Sequence, residues 1–237
     1  MQPSEMTTPD AMSTQYSSTD RLTTRRSVWG PGPEGVSPVD ALRQAVLDAD
    51  PAAVVEIGCG TGHFARSVLD VRPGVDYVAT DLSPAMVASA TALGLAAVVA
   101  PADDLPFADA SFDVAVAAWM LYHVPDLDAA LRELRRVLRP GGMLAVATNG
   151  VGHLADLQRE AGGEPLVTQF TSEVAEAVLS RHFSHVTRRD IETRAFFDDH
   201  AAAAAYLATF DVELSRTLPP FDAPRSYAGS TAILTAR

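Results

Sequence analysis

Residues 54–65 read VVEIGCGTGHFA, and the rest of the chain is arranged around them. Val54, Val55 and Ile57 surround one acid, Glu56. Three glycines follow at alternate positions, Gly58, Gly60 and Gly62, and then Phe64, Ala65, Val68 and Leu69 recur at helical spacing. A buried strand, a glycine turn and a helix in this order make a nucleotide-binding βα unit. Glycine suits such a turn for two reasons. It accepts a positive φ, and without a Cβ it lets a ligand lie against the backbone.

Two ligands compete for such a loop, a dinucleotide and S-adenosylmethionine (SAM). A dinucleotide loop places its third glycine where this chain has His63, whereas here that glycine falls one residue earlier. Glu56 also suits a pyrophosphate poorly, because two like charges would meet in a partly buried cleft. It suits the ammonium of a methionine moiety better. The next apolar stretch, Val75 to Thr80, ends at Asp81. A carboxylate about 20 residues past the glycines binds a ribose diol through two hydrogen bonds. The diol is common to NAD and SAM, so Asp81 alone does not choose between them. Ser83 before Pro84 fits the capping role for the following helix and leaves Asp81 to the sugar.

Three more motifs follow in order: Leu105-Pro106-Phe107, Ser111-Phe112-Asp113 and Leu138-Arg139-Pro140-Gly141-Gly142. Together with Glu56-Ile57-Gly58-Cys59-Gly60-Thr61-Gly62 and Asp81-Leu82-Ser83, the series resembles the class I SAM-dependent methyltransferases, especially their small-molecule group. The resemblance covers about residues 50–150, where order and spacing both match. It implies an α/β, Rossmann-like fold with a seven-stranded, mostly parallel sheet of order 3-2-1-4-5-7-6 and helices on both faces. One strand is expected to be antiparallel. The resemblance also implies SAM as cofactor, S-adenosylhomocysteine as product, and methyl transfer to an oxygen or nitrogen of a small-molecule acceptor, with natural-product biosynthesis as the expected setting. Cofactor contacts are expected from Glu56, Gly58, Cys59, Gly60, Gly62, His63, Asp81, Leu82, Met86, Ala102, Asp103 and Ala118. Relatives often carry an acid at the Pro101 position to accept from the adenine amino group. Here that role passes to Asp103, a backbone carbonyl or water. The competing readings are a SAM-fold protein that binds without transferring or catalyses another reaction, and an NAD-linked oxidoreductase.

Methyl transfer needs orientation more than it needs a protein reactant, because the cofactor carries the activated group. A base is required only for an acceptor that arrives protonated. Two histidines follow strand ends on the ligand edge, His123 after Phe112–Ala118 and His153 after Met143–Thr148, and these are the candidate bases. Local packing is the competing role for each. Trp119 and Tyr122 divide between stacking on a ligand and core packing, as Met86 does between adenine contact and the core. One cysteine and scattered histidines give no metal-ligand spacing.

The 237 residues suffice for one domain with a substantial core. The net charge is −12, a poor match to phosphate backbones or anionic membranes. This argues against a nucleic-acid partner and against a membrane role, and leaves a small molecule as the acceptor. All 18 basic residues are arginine. A single cysteine excludes an internal disulfide, and the polar N-terminus lacks an apolar signal stretch, so a cytoplasmic location is expected. The oligomeric state is not legible. Residues 1–37 read as a flexible N-terminal segment, in which Tyr16 and the stretch 21–29 are candidates for a cap over the cleft, and residues 38–237 read as the methyltransferase domain. Gly30 to Pro38 reads as a linker. The arginines of 132–139 read as the solvated face of an amphipathic helix, 126–138.

Overall fold

The computed structural model describes residues 20–30 and 32–237. The first 19 residues, including Tyr16, and with them the expected flexibility of that stretch, lie outside the described residues.

The glycine unit forms as its sequence dictates. Strand β2 (Ala53–Ile57) is buried at all five positions. Helix α3 (His63–Val71) follows and turns Phe64, Ala65 and Val68 inward. Strand β3 (Asp76–Asp81) runs parallel to β2. Helix α4 (Pro84–Ala92) starts on Ser83, whose hydroxyl accepts from the Met86 N–H, with Pro84 in its first turn. Short β4 (Ala96–Val99) is the far edge. On the other side of β2 come β5 (Phe112–Ala118), β6 (Leu138–Asn149) and the long pair β7 (Val186–Phe197) and β8 (Arg225–Ala236).

The seven expected strands lie in the expected order, β4-β3-β2-β5-β6-β8-β7. An eighth strand corrects the count. β1 (Trp29–Gly30) joins the outer edge of β7, pairing Trp29 with Ala195 and Gly30 with Arg194. It joins the last residue of the expected cap stretch to the first of the expected linker, and a two-residue strand carries no periodicity for sequence reading to detect. The sheet therefore has eight strands, and two of them, β8 and β1, run against the others. The Pro140-Gly141-Gly142 turn also differs from its reading as a turn preceding the strand. It is a bulge inside β6, since Leu138 pairs with Phe112 and Met143 with Val114. Gly141 takes φ 80° there.

Apolar layers cover both faces. On one face, α5 (Leu127–Val137) and α7 (Ser172–Leu179) bury Leu131, Leu134 and Leu179 against Ile57, Ala115 and Leu144. On the other, α2 (Pro38–Asp48), α3 and α4 bury Leu42, Val46, Phe64 and Ala90 against Val54, Val116 and Ala145. β7 and β8 pair over twelve residues, but β8 meets β6 only from Thr231 onward. Residues 225–230 and 192–197 therefore project past the C-terminal ends of the parallel strands. Over this projection α6 (Ala155–Glu160), α8 (His200–Ala208) and α9 (Val212–Thr217) build a third cluster around Phe197, Tyr206 and Tyr227. Helix α1 (Asp20–Ser27) is tied to it by Arg25, whose Nε donates to the Thr209 hydroxyl (2.9 Å) and whose Nη2 donates to the Thr209 carbonyl (2.8 Å).

The remaining motifs are structural rivets. Asp113 accepts from the N–H groups of Ala52 and Ala53 (2.9 Å each) and from Arg139 (2.5 Å), which closes the bottom of β2, β5 and β6. Burial opposes the ionisation of Asp113, but Arg139 and the two N–H groups hold its carboxyl below the usual range. Glu133 accepts from the Leu105 N–H (2.9 Å), and Arg136 donates to the carbonyls of Leu105 (3.0 Å) and Phe107 (2.7 Å). Arg136 is thus a clamp on the 105–109 loop rather than part of a solvated face. Among the described residues no helix is long and apolar enough to cross a membrane.

Candidate cofactor and acceptor site

Open α/β sheets bind ligands beyond the carboxyl ends of their strands, where the strand order reverses. Here that point lies between β2 and β5, and the glycine loop stands over it. Gly58, Gly60 and Gly62 take φ of 65°, 54° and 79°, so the loop needs all three as glycine. A Cβ on Gly58 would lie 2.8 Å from the Met120 side chain, which packs over the loop from the end of β5. Gly62 caps α3, so His63 opens the helix. The exposed His63 ring lies 2.8 Å from the Thr61 hydroxyl through Nδ1. Desolvation, then the nearby Arg26 charge, hold its pKa below the usual value. Arg26 of helix α1 thus lies within electrostatic reach of His63.

Asp81 joins the glycine loop to the turn after β3. Its Oδ2 accepts from the Gly60 N–H (2.8 Å) and its Oδ1 from the Ser83 N–H (2.9 Å). Desolvation raises its pKa against the lowering effect of these bonds. Leu82 beside it is 53% exposed, an apolar surface at the rim. Ala102 and Ala118 are half-buried and Asp103 is exposed on the loop past β4. The Cys59 N–H donates to the Thr80 carbonyl (2.8 Å), and its buried thiol is pushed far above its usual range by desolvation and by the two nearby acids.

Two of the expected contacts stand deeper than the sequence suggests. Met86 is fully buried and presents no surface to a ligand in this conformation, so core packing is the role the structure shows. Glu56 is 1% exposed and lies beneath the loop, where Oε2 accepts from the Tyr77 hydroxyl (3.0 Å). Burial drives its pKa up to about 8, with the Asp81 charge adding to the rise and Tyr77 opposing it. Tyr77 was not among the sequence candidates. Its one sequence signal is a phenol on strand β3, two positions before Ala79 on the same buried face.

The candidate bases differ in setting. His123 ends a 3₁₀ turn (Leu121–His123), is 4% exposed, and packs against the Tyr122 ring at 4.5 Å. His153 is half-buried and stacks on Trp29, with centroids 4.8 Å apart and planes at 34°. Its Nδ1 lies 3.1 Å from the Ser230 carbonyl oxygen, closer than the 3.3 Å to the Ser230 N–H. A carbonyl can only accept and an N–H can only donate, so the Ser230 backbone can pair with either tautomer of the ring. Enclosure lowers its pKa to about 4, against the Ser230 carbonyl, so the ring is neutral at pH 7.

Between the cofactor loop and His153 runs a line of side chains that sequence reasoning did not assemble. Trp119, at φ 54°, donates its indole N–H to the Asn149 Oδ1 (3.0 Å) at the end of β6, and Thr231 of β8 donates to the same oxygen (3.0 Å). Trp29 extends the line at the sheet's outer edge. Their partnership depends on strand register, which spacing along the chain does not show.

Residues 55–146 match a protein family described as a methyltransferase domain. The chain is 36% identical over 117 residues to the malonyl-[acyl-carrier protein] O-methyltransferase of Methylococcus capsulatus, which covers 47% of this chain and 42% of that protein. It is 41% identical over 111 residues to the demethylmenaquinone methyltransferase of Beutenbergia cavernae, which covers 44% of this chain and 45% of that protein. The matched stretch thus spans less than half the length of these two relatives. In fold it is similar to the YcgJ protein of Bacillus subtilis, with a TM-score of 0.58 at 19% identity over 83% of this chain and 97% of that one.

Proposed function

Residues 55–146 are a class I SAM-dependent methyltransferase domain, and on that premise we propose that this chain moves a methyl group from SAM to an oxygen or nitrogen of a small-molecule acceptor. The observation that carries the reading is the bond from the Gly60 N–H to Asp81 (2.8 Å). It sets a carboxylate and a Cβ-free loop side by side at the point where the strand order reverses.

The residues present fit the cofactor. Gly60, at φ 54°, brings bare backbone beside Asp81 for the amino-acid half, Met120 covers Gly58, and Asp81 keeps lone pairs on both oxygens for a sugar diol after its two N–H bonds. Leu82 and Ala102 offer apolar contact to the base, with Asp103 at its edge. Glu56, sealed below and kept protonated at neutral pH by burial, supports the loop through its bond from the Tyr77 hydroxyl. When bound, SAM supplies a methyl carbon made electrophilic by the sulfonium. What the chain supplies is orientation and exclusion of water, and at His153 a neutral imidazole able to accept a hydrogen bond or a proton. Transfer to oxygen agrees with the name of the first relative above. A place in natural-product biosynthesis and a cytoplasmic location complete the proposal, and both rest on the family resemblance and composition.

Calorimetry with SAM, S-adenosylhomocysteine and NAD tests the cofactor, and transfer of labelled methyl to a panel of phenols, carboxylic acids and amines tests the reaction. Binding of both sulfur nucleosides without NAD is the expected result. Preference for NAD would overturn the reading, and cofactor binding without transfer to any acceptor would reduce it to a binding role.

A further inference from the structure

Thr193 stands alone among the buried polar side chains of the outer sheet. It is 4% exposed, and its hydroxyl has no hydrogen-bond partner among the described residues. A buried hydroxyl without a partner is costly, and a valine of the same shape would avoid that cost. Directly across the β7–β8 ladder is Gly229. A Cβ there would lie 2.3 Å from the Thr193 hydroxyl oxygen and 2.4 Å from Cζ3 of Trp29. The indole therefore fills a slot floored by glycine and walled by an unsatisfied hydroxyl. Its face lies on His153 at 4.8 Å, and the Tyr206 ring meets it edge-on at 6.5 Å. The backbone that holds the indole there is a strand of only two residues. On the same sheet face, Thr231, Asn149 and Trp119 connect the slot to Met120 above the glycine loop.

We propose that the Trp29 indole occupies, in the absence of acceptor, the place of the acceptor's own ring, and that the acceptor is a planar aromatic compound bearing a hydroxyl group. The ring of such a compound replaces the indole against His153, and its hydroxyl gives Thr193 the partner that it lacks. The two-residue strand makes the exchange inexpensive, because few ladder bonds hold Trp29 in place. An aliphatic acceptor would lose the stacking, and an unsubstituted ring would leave Thr193 unpaired. This inference rests on the proposed methyl transfer only for the identity of the ligand as acceptor.

The test is calorimetric titration of catechol, phenol and cyclohexanol into the full chain saturated with S-adenosylhomocysteine. Trp29→Ala vacates the slot and is expected to bind catechol about fivefold tighter than the native chain. Adding Thr193→Val to it is expected to weaken catechol about threefold to tenfold, while Thr193→Ser retains the affinity. Cyclohexanol is expected to bind weakly throughout. Trp29→Phe serves where the alanine variant fails to fold. Catechol affinity unchanged or weakened by Trp29→Ala, no catechol binding at all, or indifference to Thr193→Val overturns the proposal. Failure to bind S-adenosylhomocysteine in the native chain would instead strike the function proposed above, so the two failures are distinguishable.

Discussion

Glu56 and Asp81 are two carboxylates one strand apart in opposite conditions. Asp81 stands at the rim with two N–H donors, and Glu56 is sealed beneath with one tyrosine hydroxyl. Replacing Asp81 with alanine removes any bonds to the sugar, so SAM binding is expected to weaken by about 1–3 kcal/mol, read by calorimetry. An unchanged affinity would take Asp81 out of the site. Glu56 gives a pH dependence of definite sign. Its folded pKa of about 8 lies above the ordinary value of 4.5, so between these the folded state holds a proton that the unfolded state has lost. The contribution of Glu56 to stability is complete below pH 4.5 and is lost as pH rises to about 8. Its slope reaches at most about 1.4 kcal/mol per pH unit. Glu56→Gln cannot titrate, and it retains an acceptor for Tyr77. The variant is expected to flatten the Tm–pH curve in this window and to exceed the native Tm at pH 8. A parallel curve would mean that Glu56 ionises normally.

The glycine loop, as an element, was readable because its demands are local. A positive φ and a bare backbone call for glycine at fixed positions, and alternation at 58, 60 and 62 reports that whatever the tertiary context. The cost of violating the demand can be measured. Gly58→Ala forces an L side chain to φ 65° and against Met120 at 2.8 Å. It is expected to destabilise the fold by about 1–2 kcal/mol in denaturant melts and to weaken SAM binding as well. Gly74→Ala is the control, since a Cβ there meets nothing within 4 Å, and it is expected to be neutral within about 0.5 kcal/mol. Equal effects at the two sites would deny the loop its special conformation. Buried β5 and the amphipathic α5 were legible for the same reason, as each announces itself by its own periodicity. β1 and the Thr193–Gly229–Trp29 slot were not legible, because they exist only through the register of β7 with β8 and β1. Glu56 was read toward the ligand for a similar reason. Its tyrosine partner comes from the neighbouring strand, where Tyr77 stands opposite Val54. Arg136 looked solvated on its own helix because the carbonyls that it holds belong to a loop about 30 residues away.

At the scale of the whole molecule, the charge of −12 is a field rather than a contact. It repels phosphate backbones and attracts cations, and the proposed cofactor pair differs in charge by one unit at the sulfur. SAM carries a net positive charge at neutral pH, whereas S-adenosylhomocysteine, with a thioether in place of the sulfonium, is neutral overall. Asp81 at the end of β3 and Asp103, exposed on the loop past β4, carry this field to the cleft, while Glu56 is held protonated at neutral pH. The field therefore favours substrate over product by long-range attraction, and salt should remove the preference. Raising ionic strength from about 0.01 M to about 0.1 M shortens the Debye length from ~30 Å to ~10 Å. Over that range SAM affinity is expected to fall about twofold to fivefold, while S-adenosylhomocysteine affinity stays nearly constant. Parallel titrations of the two nucleosides would read this directly. Equal salt dependence would place discrimination entirely in short-range contacts around the loop and leave the acidic surface with no part in cofactor exchange.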